Sequence, residues 1–407
     1  MKLSRIRIDG YKNLINFEVH FEKFNILIGK NNSGKTNLLE IFYFLNLLLT
    51  SEDNIREGLF YGRIPYNNYF ITQCKDIISR DIVTLELDFN DCIEEVDYSF
   101  FYTVQVMLGD SNSNREGYII EESLRYKETK KTGIPKVVFL RKNEDILKVI
   151  NFGIKKINKQ ESVLSIIRKL RDSIVSNQAV NKGIEYVFQI SKVPVFYSSP
   201  TETKKYLLVT KEYVTEYGRI INMPISYEIV KILESENKAY YLELLQHILN
   251  IQDLDHFTLG KDDNSFKIVL VTFINGITVP LERISDGTMS VLSIITYLLA
   301  NKHPIIAIEE IENSIHPKLL QDLVGVIRRE FHDTQTILTT YSPVLLEMTN
   351  YNEVNIILTN NNGQAQIKRV SSDKMLVKRL SHDFANFSDL FFYDDIFEVK
   401  PYSNKGE

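Results

Sequence analysis

The sequence predicts an α/β protein in which a mixed sheet with flanking helices also carries an antiparallel β subdomain and a helical insertion. Both ends of the chain show the α/β pattern: a strand, a glycine-bounded turn and a helix over residues 24–49, and alternating strands and helices over residues 266–358. Between them the apolar period is two over residues 82–148 and largely helical over residues 160–254. This order indicates one core that the two ends of the chain build together.

The N-terminal elements follow from their apolar patterns. Leu3–Asp9 alternates apolar and polar residues, which predicts a strand, and Phe24–Ile28 is a short, mostly apolar run typical of a buried strand. Lys35–Leu49 contains neither proline nor glycine, so a helix is expected there. In the antiparallel region, strands are predicted at Ile82–Phe89, Ser99–Met107, Tyr118–Tyr126 and Val137–Arg141.

The second half of the chain passes from helices back to α/β alternation. Helices are predicted at Ser162–Val175 and Val230–Leu249, and the segment Lys192–Pro200 interrupts the helical pattern. Later strands are predicted at Phe266–Phe273, Pro304–Ile308, Thr336–Thr339 and Val354–Leu358, and helices at Gly287–Ala300, Pro317–Phe331 and Ser342–Met348. The predicted parts are an N-terminal lobe (1–150), a helical insertion (151–255), a C-terminal lobe (256–360) and a tail (361–407).

Composition and charge exclude several classes of protein. Of 407 residues, 44% are hydrophobic and 25% are charged, which is ordinary for a folded globular protein. Lys and Arg total 48 and Asp and Glu total 53, so the net charge of −5 gives no argument for nucleic-acid binding. Cys74 and Cys92 supply neither a disulfide framework nor a zinc-site spacing. No apolar stretch is long enough to span a bilayer, so we expect a cytoplasmic protein without membrane contact.

The segment Gly29–Thr36 fits the phosphate-binding pattern G-x-x-x-x-G-K-[ST] in the required context of strand, loop and helix. Gly29 and Gly34 permit backbone angles that turn amide groups toward phosphate oxygens, and the helix start adds a positive dipole. Lys35 supplies a charge for the β- and γ-phosphates and Thr36 a hydroxyl for Mg²⁺. A glycine-containing turn that binds nothing is the alternative, and the matching context disfavours it.

Pro304–Glu310 is an apolar strand that ends in two carboxylates. In a P-loop fold the neighbouring strand delivers one carboxylate to the Mg²⁺ and, next to it, a base for the attacking water. Glu309 and Glu310 suit these two positions, although the first is usually Asp. Many strands end in acidic residues, so the pattern gains its weight only from the phosphate-binding segment.

Ser285–Thr288 opens a predicted helix before this acidic strand and allows two interpretations. Ser285 suits an N-cap and Asp286 suits the first turn of any helix. Alternatively, this helix start is offered to a γ-phosphate. The spacing alone favours neither.

Together these segments resemble, in order and in residues, the ABC-type ATPases of the SMC/RecF/OLD group. The resemblance covers roughly residues 1–50 and 265–350. Within it, Gly29–Thr36 resembles Walker A, Ser285–Thr288 resembles the signature motif, and Ile305–Glu310 resembles Walker B. Glu310–Pro317 is similar to the E-x-E-x-x-L-H-P stretch of OLD-like ATPases, and Thr339–Pro343 is similar to their T-T-H-S-P switch. The opening IRIDGYKNL is similar to the first strand and turn of that group.

Two positions depart from the group or resist assignment. Tyr341 stands where the switch carries His, and a tyrosine donates one hydrogen bond but carries no positive charge near neutral pH. Turnover is therefore expected to be slow or partner-dependent, with a simple packing aromatic as an equal alternative. Gln73 is a candidate for the Q-loop, but a surface glutamine is the favoured interpretation there.

The resemblance implies that two copies of the chain bind two ATP molecules head to tail. Glu310, Lys35 and Tyr341 are the implied catalytic residues, and Thr36 and Glu309 the implied Mg²⁺ ligands. The implied nucleotide contacts are Gly29, Asn31, Asn32, Ser33, Gly34, Lys35, Thr36 and Asn37 from one copy and Ser285, Gly287 and Thr288 from the other.

ATPases of this kind without a fused nuclease resemble subunits of bacterial anti-phage defence modules, which implies a sensor or regulator of a separate nuclease or toxin. The 57 residues after Asn350 are too few for the Toprim nuclease of OLD proteins. A RecF-like DNA repair clamp is the alternative, and a transporter subunit is disfavoured by the missing longer signature. The basic groups Lys127–Lys131, Lys155–Lys156, Arg168–Arg171 and Lys204–Lys205 leave nucleic-acid binding open, although interleaved acidic residues favour a solvated surface.

Overall fold

The computed structural model describes residues 1–50, 81–109, 116–149, 156–169, 177–197, 225–259, 266–301 and 303–372. Its strands are β1 (Lys2–Asp9), β2 (Phe17–His20), β3 (Phe24–Ile28), β4 (Ile82–Ile93), β5 (Val96–Met107), β6 (Tyr118–Glu128), β7 (Lys136–Lys142), β8 (Asp145–Val149), β9 (Val195–Tyr197), β10 (Ile251–Leu259), β11 (Phe266–Phe273), β12 (Thr278–Pro280), β13 (Ile305–Glu309), β14 (Gln335–Thr339), β15 (Val354–Thr359) and β16 (Ala365–Arg369). Its helices are α1 (Lys35–Thr50), α2 (Val163–Lys169), α3 (Gln178–Ser191), α4 (Ile225–Leu233), α5 (Lys238–Leu249), α6 (Asp286–Ala300), α7 (Pro317–Glu330) and α8 (Pro343–Glu347). Gln73, Cys74 and most of the predicted tail lie outside the described residues.

Six strands form the central sheet in the order β16–β15–β3–β14–β13–β9. All pairs are parallel except β15 with β16. Every residue of β3, β13 and β14 is buried, which explains why these strands are mostly apolar and confirms the three strands predicted there. Parallel pairing brings the carboxyl ends of these strands to one edge of the sheet, and the segments that follow them meet there.

Seven strands form a second, antiparallel sheet in the order β2–β1–β4–β5–β6–β7–β8. The four strands predicted from period-two alternation are confirmed, each slightly longer than predicted, and the strand predicted at Leu3–Asp9 joins them as β1. The inner face of this sheet shares a hydrophobic core with α1, α2 and α3. The antiparallel β subdomain is thus built directly onto the helix that follows β3.

A second core lies under the C-terminal half of the chain. There α4, α5 and α6 pack with the three-stranded sheet β10–β11–β12 and with α7 against the central sheet. The helices between residues 151 and 255 therefore divide between the two cores, with α2 and α3 in the first and α4 and α5 in the second. The predicted domain boundaries remain a prediction.

The single helix predicted over Val230–Leu249 is wrong, because two helices, α4 and α5, occupy this region. The Ser235 hydroxyl donates to the Ile232 carbonyl at 2.8 Å and accepts from the Asn237 amide at 3.2 Å. Such local side-chain bonds compete with the helical backbone pattern and end the first helix.

The interruption predicted at Lys192–Pro200 contains β9, which pairs in parallel with β13 at the edge of the central sheet. Strands β2, β8, β9, β10, β12 and β16 were not predicted. β9 has only three residues, too few for a period to show.

The two large sheets are joined by a buried amide. Gln335, at the start of β14, accepts from the Leu3 amide at 2.9 Å and donates to the Leu3 and Glu22 carbonyls at 2.8 and 2.7 Å. This side chain fixes β1 to the amino edge of the central sheet, opposite the edge where the phosphate-binding segment lies. Within the described residues, no helix is both long and apolar enough to cross a membrane.

Candidate functional site

The phosphate loop, Gly29–Gly34, connects the end of β3 to the start of α1. A Cβ on Gly29 would lie 2.4 Å from the Ile357 carbonyl oxygen, so the neighbouring strand excludes any larger residue. Gly34 has φ +114° and Asn32 has φ +62°, two left-handed residues within one tight loop. Left-handed residues next to right-handed ones turn successive N–H groups to the same side of the loop. Such a concave set of donors favours binding of an anion.

Lys35, the first residue of α1, is buried and donates in three directions. Its ammonium lies 2.7 Å from the Gly29 carbonyl, 3.1 Å from the Lys30 carbonyl and 2.5 Å from the Tyr341 hydroxyl. Burial lowers the pKa of Lys35 to about 8, although the carboxylates of Glu310, Glu309 and Glu312 oppose this shift. The cation is therefore held close to its titration range, within the reach of three acidic residues.

Tyr341 lies beside this ammonium, whose nitrogen is 4.0 Å from the ring centroid. Burial, and then the carboxylates of Glu310, Glu312 and Glu309, raise the pKa of Tyr341 to about 12. The hydroxyl therefore keeps its proton at neutral pH and, while accepting from Lys35, retains one hydrogen to donate.

The acidic strand β13 ends beside the start of α1. The Thr36 hydroxyl donates to Glu309, whose side chain is only 5% exposed. Glu310 follows with φ +49°, and its amide donates to the Thr339 hydroxyl at 2.9 Å. A sharp turn thus follows β13 and holds the Glu310 backbone next to β14.

Ser285–Thr288 forms the N-terminus of α6. The Ser285 hydroxyl accepts from the Thr288 amide at 3.2 Å and lies 2.7 Å from the Thr288 hydroxyl, so the N-cap interpretation is confirmed. A Cβ on Gly287 would lie 2.5 Å from the Ser314 carbonyl oxygen, so the helix start abuts the turn that follows β13. Ser285 is exposed and Gly287 is half-buried.

Asn13, which the sequence analysis did not select, contacts the phosphate loop from the turn after β1. Its amide nitrogen lies 3.2 Å from the Ser33 carbonyl oxygen, and its amide oxygen accepts from the Asn37 side chain at 2.7 Å. The Ala365 amide donates to the Asn13 backbone carbonyl at 2.8 Å. Asn13 lies within the opening segment IRIDGYKNL, but its partners lie 20 residues or more away along the chain, so the segment alone assigns it no role.

Glu312 is a second functional candidate that the sequence analysis placed in a motif without assigning it a role. Its carboxylate accepts from the Thr340 hydroxyl at 2.8 Å and from the Tyr341 amide at 2.5 Å. It therefore links the turn after β13 to the loop that carries Tyr341.

The residues present fit a Mg²⁺–nucleotide. Ser33 is 1% exposed, and its hydroxyl has no hydrogen-bond partner within the described part of the chain, so the phosphate loop holds an unused polar group. Lys35 supplies the cation, and Thr36 and Glu309 place a hydroxyl and a carboxylate together, the hard oxygen ligands that Mg²⁺ prefers. The structure brings together Lys35, Thr36, Glu309 and Tyr341, whereas Asn31 and Asn32 are exposed on the loop.

The chain is similar to known proteins at the level of family and of fold. The profile of a family described as "AAA domain, putative AbiEii toxin, Type IV TA system" matches residues 24–347. An ATP/GTP phosphatase of Helicobacter pylori is 20% identical over 367 residues, covering 85% of this chain and 87% of that protein. The DNA replication and repair protein RecF of Latilactobacillus sakei is 44% identical over 55 residues, which is 13% of this chain and only 15% of RecF.

Among solved structures, an Smc head bound to the C-winged helix domain of ScpA superposes with a TM-score of 0.50 and 9% sequence identity. The match covers 90% of this chain and 98% of that one. At this identity the likeness shows the fold alone. The fold is that of a P-loop ABC-type ATPase head.

Proposed function

This chain belongs to the AAA-domain family whose profile it matches, and we propose that it binds and hydrolyses ATP with Mg²⁺ at the carboxyl edge of the central sheet. It is an ATPase of the ABC type, of the group that includes the SMC and RecF proteins. One observation carries the proposal: Lys35, Thr36, Glu309 and Tyr341 converge where β3, β13 and β14 end.

The residue roles follow from the contacts. Lys35 and the amides of the phosphate loop balance the phosphate charge, and the Ser33 hydroxyl adds a donor. Thr36 and Glu309 would hold Mg²⁺, which when bound neutralises charge between the β- and γ-phosphates. Glu310, beside this pair, orients the attacking water and accepts its proton. Tyr341 donates one hydrogen bond to the γ-phosphate in place of the usual histidine, which supports a slow or partner-dependent turnover.

The second half of the site comes from another copy of the chain. Ser285 is exposed at the N-terminus of α6, a helix of 15 residues whose first amides carry positive dipole. In this proposal Ser285, Gly287 and Thr288 reach the γ-phosphate of the facing copy in a head-to-tail dimer. Gly287 also contacts Ser314, in the turn that follows Glu310. In this proposal, docking of the partner at Gly287 therefore shifts that turn.

The test is a Glu310→Gln variant incubated with ATP and Mg²⁺. We expect loss of at least about a hundredfold in phosphate release together with a stable ATP-bound dimer, measured by light scattering after size exclusion. Glu236→Gln, in the exposed turn between α4 and α5, is the matched control and should behave as wild type. A Glu310→Gln protein that hydrolyses ATP normally, or that stays monomeric with ATP bound, would contradict the proposal.

For the biological role we propose a sensor or regulator of an anti-phage defence complex that controls a separate nuclease or toxin. Support comes from the family description, which refers to a toxin–antitoxin system. A RecF-like repair clamp is the second candidate, favoured by the short RecF match, and it would bind nucleic acid.

Affinity purification from the native operon, with wild type and the Glu310→Gln variant in ATP, separates the two roles. Mass spectrometry that finds a co-purifying nuclease or toxin, held more firmly in the variant, supports defence. A dimer that retains only nucleic acid supports the repair clamp and contradicts the effector proposal.

A further inference from the structure

Glu312 uses both carboxylate oxygens on the loop that carries Tyr341. One oxygen accepts from the Tyr341 amide at 2.5 Å and the other from the Thr340 hydroxyl at 2.8 Å. Charge-assisted hydrogen bonds of this kind are roughly twice as strong as neutral ones. The contacts span 28 and 29 residues of sequence, so they fix one loop of the site against another.

Neighbouring hydrogen bonds reinforce the link that Glu312 makes between the two loops. The Glu310 amide donates to the Thr339 hydroxyl at 2.9 Å, and the Ser342 amide donates to the Thr340 hydroxyl at 2.8 Å. Thr340 is fully buried. The turn after β13 and the segment after β14 therefore form one hydrogen-bonded unit that carries Glu310 and Tyr341 together.

Tyr341 reaches the ATP site at the other end of this unit, where its hydroxyl lies 2.5 Å from the Lys35 ammonium. Within the described residues, the backbone bond to Glu312 and the contacts of the phenol with Lys35 hold Tyr341 in place. The Thr340 amide, just before it, donates to the Leu27 carbonyl at 3.2 Å. Loss of the Glu312 carboxylate removes the bond that ties the Tyr341 backbone to the turn after β13.

We propose that Glu312 is a positioning residue of the ATPase reaction, which acts by placing the Tyr341 hydroxyl at Lys35. This inference rests on the proposed ATPase site. Glu312 differs from Glu309, which meets the Thr36 hydroxyl beside the expected metal, because both Glu312 oxygens are engaged by the loop.

The test is a double-mutant cycle between Glu312 and Tyr341 in the full-length protein. Glu312→Ala removes both loop bonds, Glu312→Gln keeps the side-chain volume and one acceptor, and Tyr341→Phe removes the hydroxyl alone. Steady-state phosphate release gives kcat and KM, binding of a fluorescent ATP analogue gives Kd, and thermal melting confirms that each variant is folded.

We expect Glu312→Ala to lower kcat roughly tenfold or more, with Kd changed less than about threefold, because misplacement of one group slows the chemical step more than binding. Glu312→Gln should lie between Glu312→Ala and wild type. In the Tyr341→Phe background, Glu312→Ala should lower kcat by less than about twofold, because the hydroxyl through which it acts is already absent.

Equal loss of kcat in both backgrounds would overturn the inference, since Glu312 would then act without Tyr341. So would a Glu312→Ala protein that is folded and as active as wild type. A wild-type protein that turns over no ATP, either alone or together with the proteins that co-purify with it, would instead overturn the proposed function, and this inference with it. Additive effects in an active enzyme would leave the proposed function intact.

Discussion

Two regions of the molecule bury charged side chains and treat them differently. In the antiparallel sheet, Arg141 is fully buried and its guanidinium donates to four backbone carbonyls, those of Asn143, Asn158, Lys159 and Glu161. Nearby, buried Glu122 accepts from the Ser162 hydroxyl at 2.7 Å, the Val163 amide at 2.8 Å and the Tyr102 hydroxyl at 3.0 Å. Burial raises the pKa of Glu122, which Arg141 and these donors oppose.

At the edge of the central sheet, the buried polar groups are less completely matched by the chain. The Ser33 hydroxyl has no hydrogen-bond partner among the described residues, and burial lowers the pKa of Lys35 to about 8. The comparison separates two kinds of buried charge. A charge whose hydrogen bonds are all made to the surrounding protein stabilises the fold, whereas a charge beside a polar group without a hydrogen-bond partner is suited to bind a ligand. Glu122 and Arg141 hold the start of α2 against the sheet, whereas Lys35 is the proposed phosphate contact.

Replacing the scaffold charge should have the largest effect on stability. Arg141→Ala leaves four carbonyls without their donor and Glu122 without a neighbouring cation, so we expect a loss of about 3–5 kcal/mol in the free energy of unfolding. Turnover per folded molecule should be unchanged, since Arg141 lies away from the ATP site. Urea denaturation followed by circular dichroism, with ATPase assays below the transition, measures both quantities.

Arg125→Ala is the control for this experiment, because Arg125 is exposed on neighbouring β6. This substitution should lower the free energy of unfolding by no more than about 0.5 kcal/mol. If Arg141→Ala were as stable as this control, or were folded but inactive, the division between scaffold and ligand-directed charge would be wrong.

The sequence predicted local features well and distant contacts poorly. Phe24–Ile28 was found because a strand buried on both faces is mostly apolar, and Lys35 was found because its motif is contiguous. Asn13 and Glu312 were assigned no role because each acts through partners 20 to 29 residues away or more, which no local period encodes. The break between α4 and α5 carries local hydrogen bonds of the Ser235 side chain, which an apolar pattern does not encode.

The signature segment shows the limit of a motif. The spacing allowed either a helix cap or a γ-phosphate contact at Ser285, and the chain by itself displays only the cap. In the proposed head-to-tail dimer the contact with phosphate needs a second copy, so its geometry lies outside one chain. Gly287 has an explanation within the chain, since Ser314 approaches too closely for any side chain.

A change of pH tests the contrast between the two regions, because it alters the charge of Lys35. Lys35, faced by Glu309, Glu310 and Glu312 from the turn after β13 and by Tyr341 from the next loop, has a pKa of about 8. Below pH 8 the ammonium is charged and attracts phosphate, and above it the neutral amine must first take up a proton. Between pH 7.5 and 9 the affinity for ATP should therefore fall roughly eightfold.

Calorimetric titration with ATP in two buffers of different ionisation enthalpy measures both the affinity and the uptake of protons. At pH 8.5 uptake should approach about three-quarters of a proton per site. A Lys35→Ala protein should bind weakly and without this proton linkage. Constant affinity across the range would show that the ammonium stays charged and that burial does not prepare it for titration.

The smallest expected effect comes from Asn13, which supports the phosphate loop without reaching the ligand. Asn13→Ala removes its hydrogen bonds to the Ser33 carbonyl and the Asn37 side chain. The binding-competent conformation of the phosphate loop should lose about 1 kcal/mol of stability, so the affinity for ATP should fall about fivefold. Binding of a fluorescent ATP analogue measures this, with Asn362→Ala, in an exposed turn, as control. The substitution retains the backbone bond from the Ala365 amide to the Asn13 carbonyl, which joins the turn after β1 to β16, so the melting temperature should change little. A large drop in melting temperature with normal affinity would make Asn13 part of the scaffold, like Arg141.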